Sequence, residues 1–152
     1  MIVIDEKKIF EIIKERKPVS VALNGPDGLL PKVQDLALRI GKKFGIPAYL
    51  LADTTWGTCD LNSIGAEILN AEILFNIGHT NKIEIFEKNV IMINAFDDIS
   101  FDKVTKKCIE LVRGKTISLI TDSQHLHQIE SVKNMLEENG VDVKIGKGKG
   151  QL

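Results

Sequence analysis

The sequence predicts an α/β fold, a parallel sheet flanked by helices in a Rossmann-like three-layer arrangement. Short apolar runs alternate with segments of helical spacing, the order expected of consecutive βαβ units. The runs are too uniformly apolar to leave a wet face, as in sheets covered on both sides. Dense turn signals such as Asn24-Gly25-Pro26-Asp27-Gly28 stand where strands would end. With 152 residues, 43% hydrophobic residues and a formal net charge of -1, the chain can bury a core and has no bulk attraction for nucleic acid or membrane. No apolar run approaches the roughly 18 residues of a membrane span, and the start Met1-Ile2-Val3-Ile4-Asp5-Glu6 has no signal-peptide pattern. A cytoplasmic location is expected, with the two cysteines as reduced thiols or ligands.

Residues 5 to 16 predict a helix with Ile9, Ile12 and Ile13 on its apolar face, ended by Pro18. Val19 to Leu23 reads as a strand. In the next helix Leu29, Leu30, Val33, Leu36, Ala37, Ile40 and Phe44 share one face, Pro31 sits in the first turn, and Gly45 stands at a left-handed C-cap. Pro47 to Ala52 predicts a buried strand leading into Asp53-Thr54-Thr55-Trp56-Gly57-Thr58-Cys59-Asp60, a polar turn with the only Trp. Asp60 is placed to cap a helix whose apolar positions are Leu61, Ile64, Gly65, Ile68 and Leu69. Ala71 to Ile77 and residues 89 to 95 predict strands. A helix over about 101 to 113 is expected to bury Val104, Cys108, Leu111 and Val112. A strand over 116 to 121, a helix over about 124 to 138 and a strand over 141 to 145 follow, then the tail Gly146-Lys147-Gly148-Lys149-Gly150-Gln151-Leu152.

The unit at 19 to 53 recurs in outline at 116 to 148, with Gly45 answered by Gly140. This divides the chain into a first α/β domain, 1–113, and the start of a second, similar unit, 114–152, whose βαβ pattern is truncated. Ligands of such sheets bind beyond the carboxyl ends of the strands. Loops 24 to 28, 53 to 60, 78 to 81 and 121 to 125 lie at such ends and are expected to share one rim. Cys59 precedes a predicted helix N-terminus, where dipole and free amides favour the thiolate needed for nucleophilic attack or metal ligation; it can equally be packing filler. Cys108 reads as a small core residue. His79, His125 and His127 are each ligand candidates or surface and capping residues. The glycine-lysine tail either approaches an anion or is a free terminus. No zinc-finger, phosphate-loop or dinucleotide fingerprint is present.

The runs Ala22-Leu23-Asn24-Gly25-Pro26-Asp27-Gly28-Leu29-Leu30, Asp53 to Asp60, Ala66 to Ile68, Asn70-Ala71-Glu72-Ile73-Leu74 and Gly78-His79-Thr80 resemble the first domain of the diphthamide synthase family. These are the 2-(3-amino-3-carboxypropyl)histidine synthases, here of archaeal type. Ser118 to Thr121, Gln124-His125-Leu126-His127 and Ile145 to Leu152 resemble the start of its second domain. The resemblance implies a radical enzyme in which three cysteines, one per domain, hold a 4Fe-4S cluster. The cluster cleaves S-adenosylmethionine, and the aminocarboxypropyl group goes to a histidine of translation elongation factor 2, the first step towards diphthamide. Matched to the motif, Cys59 is the metal ligand of the first domain. The rim residues Asp53, Thr54, Gly78, His79, Gln124 and His125 become the expected cofactor-binding set, with no catalytic residue assigned.

The other two cysteines of that pattern have no counterpart in the chain. The 152 residues alone are therefore expected to assemble no working cluster, as a fragment of a longer enzyme or a shortened homologue without the activity. Self-association as a homodimer through an uncovered sheet edge is expected. Two further classes fit the residues: a non-catalytic binding or assembly module of the same fold, and a hydrolase or transferase with Cys59 as nucleophile and His79 or His125 as base.

Overall fold

A computed structural model describes residues 2–53, 55, 61–78 and 89–146. In chain order these form β1 (Ile2–Ile4), α1 (Glu6–Arg16), β2 (Val21–Asn24), α2 (Leu30–Phe44), β3 (Ala48–Leu50), α3 (Ser63–Ile68), β4 (Ile73–Ile77) and β5 (Val90–Ile93). They continue with β6 (Ala95–Asp97), α4 (Asp102–Val112), β7 (Thr116–Leu119), α5 (Ile129–Glu137) and β8 (Asp142–Ile145). Short 3-10 turns precede α2 and α5. The chain divides into two compact units, residues 4–95 and residues 1–3 with 96–152.

In the first unit four parallel strands run in the order β3-β2-β4-β5. The order follows burial: β2 and β4, buried at every position and apolar except for Asn24 and Asn76, take the centre, while β3 and β5 are partly exposed edges. The expectation that Pro47 to Ala52 forms a buried strand is thus corrected, since an edge strand has a sheet neighbour on one side only. β1 pairs separately with β6.

Side chains alternate across a strand, so register assigns each face. Ala22 lies opposite Tyr49 and Leu74, and Leu74 opposite Val90. This row packs with Leu51 and Ala66, which puts α3 on that face. Val21, Leu23, Ile73, Phe75, Ile77 and Ile93 point the other way. There Val33 of α2 and the Cβ of Ile77 both lie within 3.6 Å of the point a Cβ on Gly25 would occupy. Val33, Leu36, Ala37 and Ile40 are the buried stripe of α2, and Ile9 and Ile13 that of α1.

Each helix ends for a local reason. Asp5 accepts the Lys8 amide at 3.2 Å, and Lys17, left-handed at φ 48°, returns its amide to Ile13. Gly45, at φ 68°, donates to the Gly41 carbonyl at 2.9 Å and ends α2. Arg39 ties α2 to α1 through a two-point contact with Glu6 at 2.6 Å and a bond to Asp35 at 2.8 Å. The Glu6 hydrogen bonds, reinforced by Asp35, hold the guanidinium pKa above its already high ordinary value.

In the second unit β7 and β8 form a two-stranded parallel sheet joined through α5. Ile109, Leu136, Val141 and Val143 are its buried core, lined by Val112, Ile117, Leu119, Val132 and Met135. Thr116, Ser118, Asp142 and Lys144 alternate with these and are exposed, Thr116 donating to Asp142 at 2.9 Å. The expectation of strands without a wet face therefore holds for β2 and β4 and fails for β7 and β8. The βαβ parallel between the units extends to backbone conformation: Gly140 stands at φ 80° where Gly45 stands at 68°. No helix among the described residues is long and apolar enough to cross a membrane.

Candidate functional site

The carboxyl ends of β2 and β4 come together tightly. A Cβ on Gly25 would stand 3.1 Å from the Ile77 carbonyl oxygen. Gly78, at φ 83°, donates to Ile93 at 2.9 Å, and a Cβ there would stand 3.1 Å from Leu29 and 3.3 Å from Pro26. The Asn24-Gly25-Pro26 turn and Gly78 are thus one packed rim. Just beneath it Asn24 and Asn76 face each other in register, both wholly buried. Neither Nδ2 nor Oδ1 of Asn24 finds a hydrogen-bond partner among the described residues. The same is true of the buried Thr55 hydroxyl, in the turn after β3. Buried polar atoms left unpaired are uncommon and costly, and they concentrate where a fold keeps polar groups for something other than its own stability.

Asp53 is exposed, and its Oδ2 accepts a hydrogen bond from Asn62 Nδ2. Asn62 is the N-cap of α3, its Oδ1 accepting the Gly65 amide at 3.0 Å. This corrects the expectation that Asp60 caps the helix: Asn62 offers the same kind of acceptor two residues later, and α3 spans only six residues. So short a helix carries little of the dipole expected from the sequence. Ile64 and Ile68 are exposed and Ala66 is the buried position, another correction, because α3 meets the sheet through its smallest side chain.

Thr54, Cys59 and His79 lie outside the described residues, as do the rest of 56–60 and 79–88 and the tail from 147. Gln124 and His125 belong to the unit 96–152, at the turn after β7. The Gln124 carbonyl accepts the Asp97 amide at 3.1 Å. The His125 ring stands edge-on to Phe101 at 5.0 Å, with Nε2 3.9 Å from Asp122 and Nδ1 buried without a partner among the described residues. His127 stands edge-on to Phe96.

Cys108 is exposed, against the expectation of a core thiol. Helix α4 turns Thr105 and Ile109 inward and leaves Val104 and Leu111 in solvent. No group of three or more His, Cys, Asp or Glu among the described residues could hold a metal ion. The sequence places Asn24 in a rim turn and Gly65 on the apolar face of the helix without marking either as special, and Asn62 is not singled out. Asn62-Ser63-Ile64-Gly65 carries a capping signal, and Asn24 is a polar end to an apolar strand, which a turn explains as readily as a site.

A parallel α/β layer with a glycine-lined rim at the carboxyl ends of its central strands is the architecture of a protein that binds its ligand at strand ends. The diphthamide synthesis protein family matches residues 25–152, and the chain belongs to that family. Over 147 residues it is 29% identical to the 2-(3-amino-3-carboxypropyl)histidine synthase of Pyrococcus horikoshii, covering 93% of this chain and 43% of that protein. Over 132 residues it is 29% identical to subunit 1 of the Gibberella zeae synthase, covering 82% of this chain and 28% of that one. The crystal structure of Dph2 from Pyrococcus horikoshii with a 4Fe-4S cluster matches all of this chain and 46% of its own, at a TM-score of 0.86 and 26% identity. The chain thus spans less than half the length of these relatives.

Proposed function

We propose that the chain supplies the first α/β domain of a cluster-dependent 3-amino-3-carboxypropyl transferase and the opening of a second, with α4 packed into the latter. The observation that carries this reading is the full-length match to a structure that holds a 4Fe-4S cluster. The returning βαβ pattern, with Gly45 and Gly140 both left-handed, supports the division. In this reading Cys59 is one thiolate ligand. Asp53, Thr54, Gly78, His79, Gln124 and His125 are the cofactor-binding residues of this reading.

The bound group would supply an iron-centred electron and an open coordination position, and S-adenosylmethionine the group transferred. The chain's own share in this reading is one thiolate, Cys59, together with the packed rim of Gly25, Pro26, Leu29 and Gly78 at the strand ends. The donor set fits a share rather than a whole. The sequence has two cysteines, and Cys108 lies exposed on α4. Further thiolates therefore come from polypeptide beyond these residues. The acceptor is a histidine of translation elongation factor 2, the assembly a homodimer, and the setting the cytoplasm.

The test grafts this chain in place of the matching part of the Pyrococcus horikoshii enzyme and reconstitutes the chimera anaerobically with iron and sulfide. A thiolate-iron absorption band that Cys59→Ala removes is expected. A band of full intensity in Cys59→Ala would refute the assignment.

A further inference from the structure

Helix α3 turns its largest side chains to solvent. Ile64 and Ile68, four residues apart and so on one face, are 71% and 74% exposed, and Leu69 is 38% exposed. Beside them an open cleft of about 230 Å³ is lined by the apolar Ala66, Ala71, Leu74 and Val90 and by one charged side chain, Glu67. Ala71 precedes β4 and Val90 opens β5, so the cleft lies at the amino ends of these strands, away from the rim at their carboxyl ends.

Charge singles out the same surface. The chain has 20 lysines and arginines, yet none between Lys43 and Lys82, a stretch that carries Asp53, Asp60, Glu67 and Glu72. Asp53 is bonded to Asn62, and Glu72 Oε2 accepts the Val19 amide at 2.8 Å. The exposed Glu67 carboxylate has no partner among the described residues. The cleft is smaller than the roughly 300 Å³ at which small-molecule pockets begin, and it suits a single side chain. An apolar lining with one carboxylate fits a lysine or arginine, whose stem packs on Leu74 and Val90 while its head meets Glu67. The two isoleucines ask for an apolar neighbour to that cation.

We propose that this face of α3 is the surface on which the acceptor protein docks, through a lysine or arginine flanked by an apolar side chain. The proposal rests on the transferase reading and extends it from the cofactor to the protein substrate. A second copy of this chain fits less well, because a two-fold contact would set Glu67 against Glu67. A protein held at the amino ends of β4 and β5 leaves the rim open to its target histidine.

The test measures binding of the 152-residue chain to elongation factor 2 that bears the unmodified histidine, by interferometry at low and moderate salt. Ile68→Ser and Glu67→Lys are each expected to weaken binding about threefold to tenfold. Leu38→Ser, at a position 68% exposed on α2, should leave it unchanged. Salt should weaken the wild-type complex more than that of Glu67→Gln. A benzophenone crosslinker at Ile64 should capture a peptide of elongation factor 2 that contains lysine or arginine.

Absence of binding overturns the proposal, as do equal affinities for Ile68→Ser, Glu67→Lys and the wild-type chain. Capture of a second copy, or of the further domains in the chimera, overturns it too. Binding needs no cluster, so loss of the Cys59 assignment leaves this result standing, and loss of the docking surface leaves the thiolate-iron band standing.

Discussion

Asn24 shows most directly what a residue does when burial and hydrogen bonding disagree. It closes β2, is wholly inaccessible, and has both polar atoms unpaired among the described residues. A leucine of similar shape would remove two unsatisfied groups from the interior without opening a cavity. Asn24→Leu is therefore expected to stabilise the chain by about 1 kcal/mol, a rise of about 2–4 °C in the thermal midpoint for a protein of this size. A lower midpoint in calorimetry would show that the carboxamide has a structural partner. The composition of β2 predicted its apolar body, yet no pattern distinguishes an asparagine that ends a strand from one kept unpaired beneath a rim. The glycines differ in this respect. Gly45 at a left-handed cap is legible because only the residue type matters there, whereas the need for Gly65 depends on where Asn62 places its oxygen.

Helix α4 shows the limit of periodicity at the next scale. Its residues carry two stripes of equal spacing, Val104, Cys108, Leu111 and Thr105, Ile109, Val112, rotated by one position. The first was expected inside together with Val112, and of those four only Val112 packs against the core. The second faces the core of Leu136, Val141 and Val143. A threonine reads as polar in the pattern, yet Thr105 is buried and shares the inward face with Ile109. Helix α2 presents no such choice, since Val33, Leu36, Ala37 and Ile40 form its one strong stripe and all four are buried. The packing of α4 predicts a clear asymmetry under urea denaturation. Ile109→Ala, at a position 6% exposed, should cost about 2–4 kcal/mol. Leu111→Ala, at a position 72% exposed, should change stability by less than about 0.5 kcal/mol. Equal losses would mean that the two stripes have been exchanged.

Across the whole molecule, the alternation of strands and helices made the parallel sheet legible, and central burial of β2 and β4 follows from the apolar runs Val21-Ala22-Leu23 and Ile73-Leu74-Phe75. The mixed character of β7 and β8 follows from Thr116, Ser118, Asp142 and Lys144, whose alternation with apolar residues is too short to outweigh the βαβ pattern around it. The thiol inventory has a consequence that belongs to the molecule as a unit. A cubane held by three thiolates cannot be satisfied by Cys59 and Cys108, and Cys108 shares its exposed helix face with Val104 and Leu111 rather than with other ligands. Among the described residues no group of three imidazole, thiol or carboxylate donors stands together to add to them. Anaerobic reconstitution of the 152-residue chain alone is thus expected to give no thiolate-iron band that survives desalting, under conditions where the chimera acquires one. A stable four-iron cluster on the monomeric chain would overturn this expectation, and with it the idea that Cys59 contributes one ligand of three.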